Sequence, residues 1–167
     1  MTPGTESDPS NTQPKPLLSD GTIQLRLIRT VGQDNALRRS EAERFLDNIL
    51  EYRFAIHLVE DGLRVGRIHL RRTNDPRITE IIGHSGYAVD EAYRGNGYAT
   101  RAVRLIIGLA MYWGITPVWI LIEPDNIASC KTVKRVGFEL IDEIDSTQEL
   151  FSLGIGAIVR RYRYLST

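Results

Sequence analysis

A chain of 167 residues is one domain's worth, and its 42% hydrophobic content is enough for a sizeable core. Lys plus Arg equals Asp plus Glu at 21 each, so no net field draws the whole molecule to nucleic acid or to an anionic membrane. The single cysteine, Cys130, excludes an internal disulfide, and no apolar run approaches the roughly 18 to 20 residues of a membrane helix, so a cytoplasmic protein is expected.

Residues 1–20, rich in Pro, Ser, Thr and Asn, lack the basic start and apolar stretch of a secretory signal and read as a disordered tail ahead of a domain over 21–167. From Thr22, Ile23, Leu25 and Leu27 alternate with Gln24 and Arg26, which predicts a half-buried strand. Ser40-Glu41-Ala42-Glu43 has capping-box spacing, and Ala42, Phe45, Leu46, Ile49 and Leu50 then recur at three- and four-residue steps, which predicts an amphipathic helix. Strands over Phe54–Val59 and Leu63–Arg71 are joined by a Glu60-Asp61-Gly62 turn, and Asn74-Asp75-Pro76 closes the second. A further strand ends at Val89. The helix from Tyr98 to Trp113 is apolar nearly all round, leaving Thr100, Arg101, Arg104 and Gly108 as a thin exposed strip. Val118–Ile122 reads as a strand buried on both faces, followed by a short helix from Asn126 to a glycine stop at Gly137. Strands near Phe138–Ile144 and Ala157–Tyr164 complete a mixed sheet.

Between the strand ending at Val89 and the helix opening at Tyr98 lie two glycines, Gly95 and Gly97. Without side chains there, the backbone can turn its amide hydrogens toward one point, and the positive end of the helix dipole adds to that field, so the turn suits a pyrophosphate. A dinucleotide fingerprint fails, since the sixth position from Gly95 is Thr100, and no Lys-Ser or Lys-Thr follows as a nucleoside triphosphate loop requires. What remains is Arg-x-x-Gly-x-Ala, from Arg94 through Gly97 to Ala99.

This pattern resembles the pyrophosphate loop of the GNAT superfamily of N-acetyltransferases. Gly83-His84-Ser85-Gly86-Tyr87-Ala88-Val89 is similar to that family's central strand, in a branch of predicted acetyltransferases carrying Gly-His-x-Gly-Tyr. Asn126-Ile127-Ala128-Ser129 running to Val136-Gly137-Phe138 is similar to its next helix. The resemblance implies an α/β (α+β) fold: a mixed, mostly antiparallel central sheet with a parallel splayed strand pair, flanked by about four helices. It implies acetyl-CoA as co-substrate, with Tyr87, Ala88 and Val89 offering backbone groups to the pantetheine arm. Arg94, Gly95, Asn96, Gly97, Tyr98, Ala99 and Thr100 would wrap the pyrophosphate, and Asn126 would reach the arm near the sulfur. The implied reaction is direct acetyl transfer to a primary amine of a small molecule, peptide or protein. Nucleic acid and membrane are not expected partners, and a homodimer through sheet edges or C-terminal strands is open.

The transfer needs a base. His84 is the first candidate, because imidazole titrates near neutrality; its alternative is a hydrogen-bonded core histidine. Glu80 is the second, with a solvated residue at a strand start as its alternative. For a proton donor to the thiolate, the family often has a tyrosine seven residues after the helix-opening Asn, a position held here by Val133. Ser129 is the substitute named, or else a first-turn residue bonding nearby backbone, and Tyr162 and Tyr164 are others. Cys130 reads as a structural thiol. His57 and His69 lack the spacing of a zinc site, so no metal is expected. The arginines at 64, 67, 71, 72, 160, 161 and 163 read as solvated sheet edges. Val133 and the lack of an unmistakable base leave a second class open, an acyl-CoA-binding module without turnover.

Overall fold

The computed structural model describes residues 18–32 and 41–166, with backbone alone for 41–43. Of the tail expected over residues 1–20, residues 1–17 lie outside the described residues, as does the capping serine Ser40. Leu18 to Asp20 fold onto the first strand: Leu25 N donates to Leu18 O at 2.7 Å, and Asp20 Oδ1 accepts from the amides of Thr22 and Ile23.

Four strands form one antiparallel ladder, β1 (Ile23–Val31), β2 (Leu50–Leu58), β3 (Arg64–Arg72) and β4 (Ser85–Val89), each paired with the next. Three more, β5 (Val118–Ile122), β6 (Glu139–Asp145) and β7 (Ile158–Tyr164), form a second with β7 in the middle. Helices α1 (Pro76–Ile82), α2 (Tyr98–Tyr112), α3 (Ile127–Val136) and α4 (Gln148–Ser152) complete the α/β fold. Alternation explains the sidedness. Phe54, Ile56, Ile68 and Leu70 of the first ladder and Val118, Ile120 and Ile122 of β5 face one core, against Ala102, Val103, Ile106 and Ala110 of α2 and Val133 of α3. A smaller cluster of Leu46, Ile82, Leu150 and Val159 seals the opposite side. Each fully buried Leu, Ile or Val contributes about 1.5–3 kcal/mol, so α2 is the main apolar buttress of the sheet.

The structure departs from the sequence reading in four places. The amphipathic helix expected after Ser40 is a 3₁₀ segment, Glu41–Leu46, and Leu50 already belongs to β2, where it pairs with Arg72 of β3. A helix, α1, stands where a strand was expected to begin. Asp75 Oδ1 accepts from Arg77 N at 3.0 Å and Pro76 supplies a preset first-turn dihedral, so the Asn74-Asp75-Pro76 signal opens a helix as well as closing a strand. The short α4, capped by Thr147, carried no periodic signal. Thr100, expected on the exposed strip of α2, is buried.

The two ladders meet at one point. His84 N donates to Trp119 O at 2.8 Å, and Trp119 N donates to His84 Nδ1 at 2.9 Å. Gly83, which ends α1 at φ 75°, makes this approach possible, because a Cβ there would lie 3.1 Å from Trp119 O and 3.2 Å from a Leu121 methyl. Gly83→Ala is therefore expected to lower stability by about 2 kcal/mol or more through left-handed strain and crowding, read as a fall in the denaturant midpoint.

Candidate active site

From the His84–Trp119 contact, β4 and β5 run on in the same direction, and among the described residues no further backbone hydrogen bond joins them. The register of β3 with β4 shows which groups this leaves free. Arg71 N donates to His84 O at 2.8 Å and Asp90 N donates to Val65 O at 2.9 Å, so the carbonyl of His84 and the backbone of residues 86, 88 and 90 turn toward β3. Tyr87 and Val89 turn theirs into the gap. Ala88 is thereby corrected: its N–H and C=O face Arg67 in the ladder, and it serves the gap as wall. An unpaired buried backbone group costs about 1–3 kcal/mol, so a splayed edge of this kind suits an extended ligand bearing amides.

The chain then reaches α2 through a short 3₁₀ turn, Glu91–Tyr93, and the two glycines, at φ 82° for Gly95 and 76° for Gly97. Gly97 is the N-cap residue of α2 and offers no side-chain cap, and the first turn carries no acidic residue. The leading amides of α2 thus have the helix dipole behind them and no internal anion in front. Arg94 Nε donates to Val89 O at 3.0 Å, which ties the loop to the end of β4. Asn96 does not line the cavity that opens here. Its Nδ2 donates to the carbonyls of Tyr93 and Arg94 and braces the loop from behind.

That cavity, about 530 Å³, brings together Tyr87, Ala88, Val89, Arg94, Gly95, Gly97, Tyr98, Ala99, Thr100 and Asn126. Its far wall is α3, where Ser129, Lys131, Thr132 and Arg135 face the same space. Sequence reasoning missed Lys131 and Arg135. The signal was present: one helical face runs from Ala128 through Lys131 and Thr132 to Arg135 at three- and four-residue steps. Asn126 caps α3 by accepting from Ser129 N at 3.1 Å, and Tyr87 Oη donates to Ser129 O at 3.3 Å, binding strand to helix across the mouth of the gap. A second cavity of about 220 Å³ shares Tyr87, Asn126 and Ser129 and continues through the gap to Gly86, Glu123 and Ile155.

The candidate bases stand elsewhere. His84 is 1% exposed, with Nε2 against Thr73 O at 3.0 Å and Nδ1 accepting from Trp119 N, and it lines neither cavity. Its occupied acceptor at Nδ1 assigns the proton to Nε2. Burial pulls its pKa down to about 4, assisted by the charge of Arg71 and opposed by the Thr73 contact. Glu80 sits on α1, not at the head of β4, and its carbonyl accepts from Arg161 Nη1 at 3.2 Å. Of the three, only Ser129 reaches the cavities. Tyr162 is buried in the main core, where burial pushes its phenol up to about 12, and Tyr164 packs on Phe138; neither lines a cavity.

Of the arginines read as solvated sheet edges, Arg64, Arg67 and Arg72 are exposed, Arg160, Arg161 and Arg163 are half-buried, and Arg71 departs from that reading. Arg71 is buried, pairing with Glu51 at 2.8 Å and donating to Gly83 O at 3.1 Å, and Arg53 holds the other Glu51 oxygen at 2.6 Å. Burial alone would raise the Glu51 carboxyl, but the charges of His69, Arg71 and Arg53 bring it down to about 2. Arg160 pairs with Glu143 and Arg161 with Asp142 across β6 and β7. Among the described residues no cluster of His, Cys, Asp and Glu is placed to hold a metal ion, and no helix is long and apolar enough to cross a membrane.

A splayed strand pair, a glycine turn with open helix amides and a cavity joining them define an acyl-CoA-type site on an acetyltransferase fold. The sequence model of the acetyltransferase (GNAT) domain matches residues 15–139, and the chain belongs to that family, whose acyl donor is acetyl-CoA. Solved structures agree on the fold. An acetyltransferase of the GNAT family from Bacillus anthracis superposes with TM-score 0.56 at 16% identity, covering 68% of this chain; this chain spans 65% of that one. A ribosomal-protein-S5-alanine acetyltransferase from Vibrio fischeri gives TM-score 0.59 at 20% identity, covering 86% and 93% of the two chains. A microcin C7 self-immunity acetyltransferase, solved with acetyl-CoA and AMP, gives 0.55 at 19% identity, covering 70% and 61%. No match was found among curated proteins.

Proposed function

We propose that the chain is a cytoplasmic N-acetyltransferase, a single domain over 21–167, that moves the acetyl group of acetyl-CoA to a primary amine by direct attack on the thioester. The observation that carries this reading is the continuity of the larger cavity from the open amides of α2 to the gap-facing backbone of Tyr87 and the N–H of Val89, whose carbonyl is held by Arg94. The first-turn amides at Tyr98, Ala99 and Thr100 hold the pyrophosphate, with Arg94 at its side and Asn96 bracing the loop. Lys131 and Arg135 add positive charge from the opposite wall. Tyr87 and Val89 pair with the pantetheine amides, and Asn126, whose Oδ1 is committed to its cap, offers its amide Nδ2 near the sulfur.

At the reacting end, where the two cavities meet, the gap-facing Tyr87 N–H polarises the thioester oxygen as charge builds on it, a type of contribution worth roughly 3–4 kcal/mol, which leaves the Tyr87 C=O and the Val89 N–H to the pantetheine amides. Ser129 faces the sulfur and supplies a proton to the leaving thiolate. His84 is a brace between β4 and β5 and not the base, since both ring nitrogens are engaged, and Glu80 is a helix residue remote from the gap. A second reading, an acyl-CoA sensor without turnover, draws on Val133, fully buried where a phenol would assist departure. Among acceptors, a peptide α-amine is favoured alongside small amines, in keeping with the ribosomal-protein enzyme of the same fold. A homodimer through a sheet edge is the assembly proposed. The edge strands β1 and β6 expose Leu27, Ile28, Leu140 and Ile141, and light scattering of the purified protein tests it.

The decisive experiment combines acetyl-CoA titration calorimetry with thiol release over small amines and peptides bearing free α-amines. Binding with release is the expected result; saturable binding without release on any acceptor leaves the sensor, and absence of binding rejects both. Asn126→Ser, which keeps the helix cap but loses the amide donor, is expected to lower kcat/KM about tenfold with little change in stability.

A further inference from the structure

The second cavity is walled by Gly86, Leu121, Ile122 and Ile155, and among its lining residues one carries a charge, Glu123. No described arginine or lysine pairs with this carboxylate. It is nevertheless fixed: Gly156 N donates to Glu123 Oε1 at 3.0 Å. The missing side chain at Gly156 leaves room beside the uncommitted oxygen, since a Cβ there would lie 3.1 Å from Oε2.

Position on β5 decides which way the group points. Val118, Ile120 and Ile122 face α2 and α3, whereas Leu121 packs with the Leu46, Ile82, Leu150 and Val159 cluster on the opposite side. By the two-residue period of a strand, Glu123 shares the side of Leu121, so the carboxylate enters the gap from the face away from the larger cavity. Gly86 keeps the other wall low because the His69 ring lies directly behind it, with a Cβ at residue 86 falling 2.8 Å from His69 Cε1. The two cavities meet at Tyr87, Asn126 and Ser129, where the thioester of the proposed donor ends.

Resting on the acetyltransferase reading, we infer that the second cavity is the acceptor site, that Glu123 binds the acceptor's ammonium, and that the acceptor is an unhindered primary amine on a slim apolar stem. An anionic group in a slot whose other lining residues carry no charge selects a cation, and about 220 Å³ holds a chain of a few carbons or the first residue of a peptide. Oε1 stays with Gly156 while Oε2 receives an N–H of the ammonium, steering its nitrogen to the acetyl carbon. One ammonium proton first leaves to water at the cavity mouth, which frees the nitrogen lone pair that forms the N–C bond. The C–S bond breaks with its electron pair going to sulfur, and the second proton shed by the nitrogen ends on the thiol.

The test uses n-butylamine as the acceptor probe, with acetyl-CoA, in a thiol-release assay confirmed by mass detection of N-butylacetamide. Wild type is expected to accelerate the reaction over buffer. Glu123→Gln, which preserves the Gly156 bond, is expected to raise the KM for butylamine at least tenfold and lower kcat/KM about 100-fold, with the Kd of acetyl-CoA unchanged within twofold. Ile155→Trp, filling the slot from the other wall, is expected to block butylamine turnover with the same unchanged Kd, and melting curves of both variants establish that they fold. Acetyl-CoA binding without butylamine acetylation by the wild type overturns the inference, as does a Glu123→Gln kcat/KM within threefold of wild type. Loss of acetyl-CoA binding by the wild type itself would instead reject the underlying reading.

Discussion

Ala99→Asp is expected to abolish measurable acetyl-CoA binding, weakening it at least 100-fold by calorimetry, while leaving the melting temperature unchanged or slightly raised. The two effects separate because of where residue 99 stands. It is half-buried, in the first turn of α2, and lines the larger cavity beside the glycine turn. A carboxylate at this point interacts favourably with the helix dipole, by about 0.3–1 kcal/mol, so the fold gains or is indifferent. The same charge occupies the field that the pyrophosphate requires and repels two phosphates at short range, in a pocket partly shielded from water. Loss of binding through general unfolding would carry a lower melting temperature, and the pair of measurements distinguishes the cases. Ala99→Asp binding acetyl-CoA as tightly as wild type would mean that the α2 amides do not hold the diphosphate.

The turn was legible in the sequence because its chemistry is local: two glycines, a helix opening after them and no acid in the first turn are all consecutive in the chain. The β5 strand and α3 with its Asn126 and Gly137 ends were equally legible, since an apolar run and two capping residues mark them without reference to anything distant. The α1 helix was not. Asp75-Pro76 serves as strand stop and helix start alike, and seven residues carry too little periodicity to choose between them. The segment before β2 failed for a related reason: Leu46, Ile49 and Leu50 fit a helical step, but pairing with Arg72 of β3 claims Leu50 for a strand, a long-range effect that no window of sequence contains. Glu123 escaped notice because nothing within a few residues of it signals chemistry; only the packing of the α4–β7 connection, which brings Gly156 to its carboxylate, marks it. His84 was singled out for its residue type, which its sequence position supports as well for a brace as for a base.

The difference between brace and base gives the other large effect. His84→Ala is expected to destabilise the protein by about 3–5 kcal/mol, read as a drop in the denaturant midpoint, since it leaves Trp119 N and Thr73 O without their partner in a buried site and opens a cavity at the one junction between the two ladders. The intact residue should also make stability pH-dependent. Its folded pKa, about 4, lies below the ordinary 6.5, so between these values the unfolded chain takes up a proton that the folded chain refuses. Stability attributable to His84 is therefore complete above pH 6.5 and falls as the pH is lowered toward 4, by about 3 kcal/mol in all. Glu51 adds to the fall only at the acid end of this window, because its folded pKa is held near 2 while the unfolded carboxyl begins to take up a proton near 4.5; the slope between 5 and 6.5 belongs to the imidazole rather than to Glu51. A base at this position would behave differently: turnover would fall along an acid limb set by the imidazole, and His84→Ala would lose rate with its fold and acetyl-CoA affinity intact. Because the splay between β4 and β5 starts at the His84–Trp119 contact, the brace further requires that His84→Ala weaken acetyl-CoA binding even where the protein remains folded. A folded His84→Ala variant with wild-type affinity, together with a wild-type pH–stability profile no steeper between 4 and 6.5 than the variant's, would return the residue to catalysis.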